Sequence, residues 1–233
     1  MSENIKKTTK AFRVDLNSSE NQSILKPIAR YSFHNQAHQV NEAVKKIDKL
    51  IKNAPYSNDD IILNHNKIKE AFFSPFKPQL KNAQVFLSHS HADKNKALEV
   101  KNYLEEDLDA ECVFIDSLFW DYKDDVLNEL AEYDDISRIE DAFTLILRES
   151  LQDMIEKCPY FVFLQSKNSV SNQGLSRITY SAWIYEELKI AHSISESRPI
   201  PMMESMQVFH DISPFLEHLE TITLKKLSQQ INS

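Results

Sequence analysis

The chain has 233 residues, a formal charge of −8 and one glycine, where ordinary usage gives about 16. Phosphate-cradling GxxxxGKS/T loops, GxGxxG dinucleotide fingerprints and GxSxG nucleophile elbows each need two or more closely spaced glycines, so the solitary Gly174 excludes all three. With 42% hydrophobic and 27% charged residues the composition is globular, and an acidic chain without a long basic run argues against nucleic acid as a partner.

The first residues, MSENIKKTTK, lack the apolar core of a signal peptide. No stretch approaches the ~18 apolar residues of a membrane span, so a cytoplasmic chain with no membrane partner is expected. Residues 1 to about 25 are polar and read as a mobile lead. From Gln36 to Asn53 the apolar positions Val40, Val44, Ile47, Leu50 and Ile51 recur at three- and four-residue steps, which predicts an amphipathic helix. A second helix is expected after Ser57-Asn58-Asp59-Asp60, running to about Phe72. Pro75 and Pro78 then break the pattern and set a boundary. Residues 1–78 read as an N-terminal polar, helical extension and 79–233 as the main domain.

Beyond the boundary, strands alternate with helices. Ala83–Ser88, Glu111–Asp116 and Tyr160–Gln165 read as short buried strands. Lys94–Glu105, Leu145–Lys157 and Ala182–Ser195 read as helices. Pro199–Met203 and Met206–Asp211 are candidate late strands, and Leu224–Ile231 a closing helix. This alternation predicts an α/β domain with a parallel sheet covered on both faces. Ligands in such sheets sit beyond the carboxyl ends of the strands. Cys112 and Cys158 lie in apolar surroundings and read as buried, reduced thiols.

Two local patterns carry possible chemistry. The first is Ser88-His89-Ser90-His91-Ala92-Asp93-Lys94, straight after the first of these strands. It looks like the HxHxDH motif of metallo-β-lactamase-type hydrolases, but Lys94 replaces the closing His and would repel a second cation. His192, His210 and His218 follow in no matching context. The better reading is a polar loop in which Asp93 opens the next helix, with no metal. The second pattern is the helix SAWIYEELKIAHSI. At about 100° per residue, Trp183, Ile184, Leu188, Ile190, Ala191 and Ile194 share one broad arc. Glu186 falls opposite with Lys189 and Ser193, on a solvated face. Glu187 falls within the apolar arc, where a carboxylate must be paired, line a cleft or cost several kcal/mol.

Taken in order, AQVFLSHSHADK, ECVFIDSLFWDYKDD, YFVFLQSKNSV and SAWIYEELKIAHSI resemble a Toll/interleukin-1 receptor (TIR) domain. More narrowly, they are similar to the prokaryotic TIR proteins of antiphage defence systems such as Thoeris. The resemblance spans about residues 80 to 225, with Ile184 where many members have Cys. It implies a flavodoxin-like parallel sheet flanked by helices, following the N-terminal helical extension. It also implies cleavage of the nicotinamide–ribose bond of NAD+, which is the substrate, with no further cofactor. The family's catalytic glutamate stands in the Trp-x-x-x-Glu step, here Trp183 and Glu187. Phe119-Trp120-Asp121-Tyr122 would occupy a mobile loop bordering the site, with Trp120 stacking on substrate. Ser88, His89 and Asp116 would contact substrate at strand ends, and Trp183 would join them. Expected partners are further copies of the chain, through TIR–TIR contacts, and a separate effector that responds to the product. Two alternatives stand beside this enzyme: a non-catalytic TIR module that signals by assembly, and a metal-dependent hydrolase using His89, His91 and Asp93.

Overall fold

The computed structural model describes residues 9–26, 36–53, 56–57, 60–61, 64–74, 82–108, 112–115, 117–130, 136–173, 176–196 and 210–232. Its chain divides into two compact units. The first is built from Met1–Ala29, Asn82–Ser117 and Gln152–Ser233, the second from Arg30–Lys81 and Leu118–Leu151.

The first unit holds a five-stranded sheet. Its strands are β1 (Lys10–Asp15), β4 (Val85–Ser88), β5 (Val113–Ile115), β6 (Tyr160–Gln165) and β10 (Glu220–Thr221). They lie in the order β10-β1-β6-β4-β5, and every pairing is parallel. The α/β expectation holds, and the sheet is compatible with a flavodoxin-like arrangement: β5-β4-β6 follows the 2-1-3 order of such sheets. Strand β6 spans Tyr160–Gln165 as its apolar run predicts, while β4 and β5 are shorter than expected.

Strand β1 corrects two expectations. Residues 10–15 are not part of a mobile lead, nor of an extension outside the domain. They form an inner strand of the sheet, second from its β10 edge, with six residue pairs to β6 and a parallel pairing to β10 on the other side. Phe12, Val14 and Leu16 are buried, and the charged residues between them lower the average apolarity that the sequence reading relied on. The lead is anchored further by Asn21, whose Nδ2 donates to the Asp15 carbonyl at 2.8 Å and whose Oδ1 accepts from the Leu224 amide at 3.0 Å. That side chain is 2% exposed, on the short helix α1 (Ser19–Ile24).

Side chains alternate between the two sheet faces. One face carries Phe12, Val14, Tyr160, Val162 and Leu164. Helix α9 (Leu224–Ile231) packs there: the Tyr160 hydroxyl donates to the Gln230 carbonyl at 3.1 Å. Ser228 of α9 in turn donates to Asp107 of α4 (Lys94–Leu108). The other face carries Phe86, Phe114 and Phe161, with ring centroids 5.9 Å apart in each neighbouring pair, and Ser88 above them. Helix α7 (Ala182–Glu196) covers this second face near Ser88. A small antiparallel sheet, β7 (Ser171–Gln173), β8 (Ser176–Thr179) and β9 (His210–Asp211), leads into and follows α7. Of the two expected late strands, Pro199–Met203 lies outside the described residues. Met206–Asp211 is described only at β9, which pairs with β8 and not with the main sheet. Gly174 also lies outside the described residues. Helix α8 (Ser213–His218) follows, then β10 and α9.

The second unit contains α2 (Gln36–Lys52), the two-stranded β2 (Tyr56–Ser57) and β3 (Asp60–Ile61), and α3 (His65–Phe73). Helix α2 forms where the three-and-four spacing predicts it. Helix α3 starts later than expected: Asn64 accepts from the Lys67 amide at 3.1 Å as its cap, and residues on either side of Asn58-Asp59 pair as strands instead. Phe72 meets Phe143 edge-on at 5.3 Å, and His65 bonds Glu149 at 3.0 Å. Most of α5 (Ser117–Leu130) and α6 (Ile136–Lys157) belong here.

Candidate functional site

Glu187 has no exposed surface. Its Oε2 accepts a hydrogen bond from the hydroxyl of Ser88, the last residue of β4, itself fully buried. The arc predicted for α7 is the buried one: Ile184, Leu188, Ile190 and Ala191 are each 3% exposed or less. Glu187 therefore sits among apolar neighbours at the carboxyl end of a parallel strand. Trp183, one turn earlier on α7, is half-buried, and His89, directly after Ser88, is buried. Glu186 differs from expectation, because its face is not open to solvent. It pairs with Lys189 at 3.4 Å, and the two side chains are only 16% and 13% exposed.

The loop that follows β4 is tied down by a residue the sequence reading assigned to helix opening. Asp93 is buried, accepts from the Ser166 hydroxyl through Oδ2, and accepts from Asn168 Nδ2 through Oδ1 at 2.8 Å. Ser166 Oγ also accepts from the Asn168 amide at 2.9 Å, and the Ser166 amide donates to Ser169 Oγ at 2.8 Å. The loops after β4 and β6 are thus joined where a parallel sheet binds ligands. The polar run SKNS after YFVFLQ was the available signal for this joint. His91, by contrast, is exposed. Among the described residues no group of three His, Cys, Asp or Glu side chains is placed to hold a metal ion.

The remaining candidates are placed differently. Asp116 lies outside the described residues. Trp120 lies on α5, in the second unit, and its stretch is helical where the resemblance implied a mobile loop. The physical reason is local: Ser117–Leu130 contains neither Gly nor Pro, and Val126 and Leu127 bury an apolar stripe. His192, His210 and His218 are packing groups. His210 stacks on Tyr185 at 4.5 Å, and His192 lies 4.8 Å from His218 and 5.5 Å from Phe215, joining α7 to β9 and α8. Compared with known proteins, the chain matches no family model, no curated protein and no solved structure. Among the described residues no helix is long and apolar enough to cross a membrane.

Proposed function

We propose that the chain is a TIR-type enzyme that cleaves the nicotinamide–ribose bond of NAD+, with Glu187 as its catalytic residue. The supporting observation is a fully buried carboxylate held by the Ser88 hydroxyl at the carboxyl end of a parallel strand. Burying a charge among apolar groups costs several kcal/mol, a cost that a role in catalysis explains. Nicotinamide departs as a neutral base with the electron pair of the C–N bond, so no general acid is needed. The ribose carbon becomes oxocarbenium-like, as in glycoside hydrolysis, and a nearby carboxylate stabilises it. Water then attacks and releases a proton, giving ADP-ribose; an adenine nitrogen of the same molecule gives a cyclic product. Ser88 orients Glu187, and His89, next to Ser88 in sequence, and Trp183, one turn before Glu187 on α7, are the groups expected to contact the sugar and the departing ring. In the cytoplasm such a product would serve antiphage defence as the signal to a separate effector.

The complete burial of Glu187 also favours a second reading, a non-catalytic TIR module acting by assembly, in which the Ser88–Glu187 bond only braces the fold. Following nicotinamide release from NAD+ decides between them. The enzyme reading expects turnover by the natural chain and a loss of about 100-fold or more in Glu187→Gln. Equal turnover by that variant would remove Glu187 from the chemistry, and concentration-dependent assembly without any turnover would favour the second reading.

A further inference from the structure

Strand β6 is buried from Phe161 to Leu164 and ends in a glutamine. Side chains alternate along it, so Phe161, Phe163 and Gln165 share one face. Register sets Phe161 beside Phe86 of β4 and Phe163 beside Ser88. Gln165 therefore stands on the face of Ser88 and Glu187. It is one strand over from Ser88 and two residues further along, about 8 Å between backbones. Its backbone is fixed: Gln165 pairs with Asp15 of β1, and its carbonyl accepts the Leu16 amide at 2.9 Å. The next residue, Ser166, is tied to Asp93 in the joint between the two loops. The side chain is not held in this way. Its Oε1 is buried and has no hydrogen-bond partner among the described residues.

A buried acceptor without a donor destabilises a fold, and native structures rarely carry one. This one lies at the carboxyl edge of a parallel sheet, where ligands bind, beside a buried carboxylate. We propose that Gln165 is the residue that reads the leaving ring, its Oε1 accepting from the carboxamide NH2 of nicotinamide. The inference rests on the reading of Glu187 as the carboxylate facing the ribose, and it adds a specificity for amide over acid. The ribose hydroxyls sit on carbons next to the reacting one, within the reach of Glu187 itself. The carboxamide stands off by the width of the ring, which suits a group one strand away from Ser88. An amide offers Oε1 two N–H donors, whereas ionised nicotinate offers only acceptors. Two acceptors facing each other without a proton between them exclude the acid. Sites that pair a buried polar group with the substrate discriminate far more strongly than apolar pockets do.

Kinetics of the full chain on NAD+ and on nicotinic acid adenine dinucleotide, which differ only in amide against acid, test the assignment. The natural chain should favour NAD+ by about 100-fold or more in kcat/KM. Gln165→Leu should shrink that preference about tenfold or more, mainly through a raised KM for NAD+. The same substitution removes an orphaned acceptor, so its thermal midpoint by circular dichroism should hold or rise. A natural chain without the preference, or a preference unchanged in Gln165→Leu, would overturn the assignment. So would equal losses on both dinucleotides, as a contact to their shared ribose would give, or a fallen midpoint, as a bracing role would give. Ligand-observed NMR with free nicotinamide and free nicotinate reads the same contact without turnover. Binding of nicotinamide but not nicotinate, lost in Gln165→Leu, in a chain that cleaves neither dinucleotide would count against the enzyme reading and leave the contact standing. Neither cleavage nor selective binding would remove both.

Discussion

Ser88 and Glu187 show how a single hydroxyl can reach a buried acid from a strand end. Glu187 was legible in sequence, because 100° steps along a helix place every residue relative to its neighbours without any tertiary information. Its partner was not, since nothing local ties residue 88 to residue 187. Replacing Ser88 with Ala removes the donor and leaves a carboxylate oxygen buried without it, at a cost of about 1–3 kcal/mol. The urea midpoint of Ser88→Ala should fall accordingly, with activity falling alongside it. An unchanged midpoint would show that the hydroxyl does not hold the acid. Asp93 gives the complementary lesson: its place before a helix suggested capping, whereas its oxygens are used by Ser166 and Asn168 from a strand end far along the chain.

Elements with a strong period were read correctly, and those that depend on a distant partner were not. Helices α2, α4, α7 and α9 and strand β6 follow their apolar spacing. Strand β1 escaped because KAFRVD has only alternate buried positions and lies in a polar neighbourhood, so its strand state comes from pairing with β6 and β10. A chain beginning at residue 79 would lack an inner strand of the sheet, leaving β6 without its neighbour on one side and β10 without a partner. It should show little cooperative thermal unfolding by circular dichroism beside the full chain. A cooperative transition at the same temperature would mean that β1 is dispensable. Helix α5 was missed for another reason: the family resemblance implied a loop there, while the composition of Ser117–Leu130 favours a helix on its own.

Across the molecule, the buried thiols offer an independent check of the fold. Cys112 and Cys158 are 2% exposed, and neither is in a disulfide. Burial pushes the Cys158 thiol from 9.0 up to about 12, with Lys157 opposing and Cys112 adding to the rise. The folded state therefore holds that proton more tightly than the unfolded chain does. The stability this contributes is present in full below pH 9, the unfolded value, and is lost as the pH rises through about 12. At pH 8 a thiol reagent should modify neither cysteine until urea unfolds the chain. Rapid labelling of Cys158 in the native protein would contradict the packing between the strands.

The sequence by itself determined what depends on composition and short-range order. One glycine excluded the glycine-loop nucleotide sites, strand and helix periods set most elements, and helical geometry put a carboxylate on a buried arc. Only the tertiary structure decided which segments meet. It brought Ser88 to Glu187 across 99 positions, paired the N-terminal strand with β6, and placed Gln165 on the face of the buried acid. The division has a physical cause: residue periodicity is a property of local backbone geometry, whereas strand pairing joins segments whose separation along the chain carries no signal of their contact.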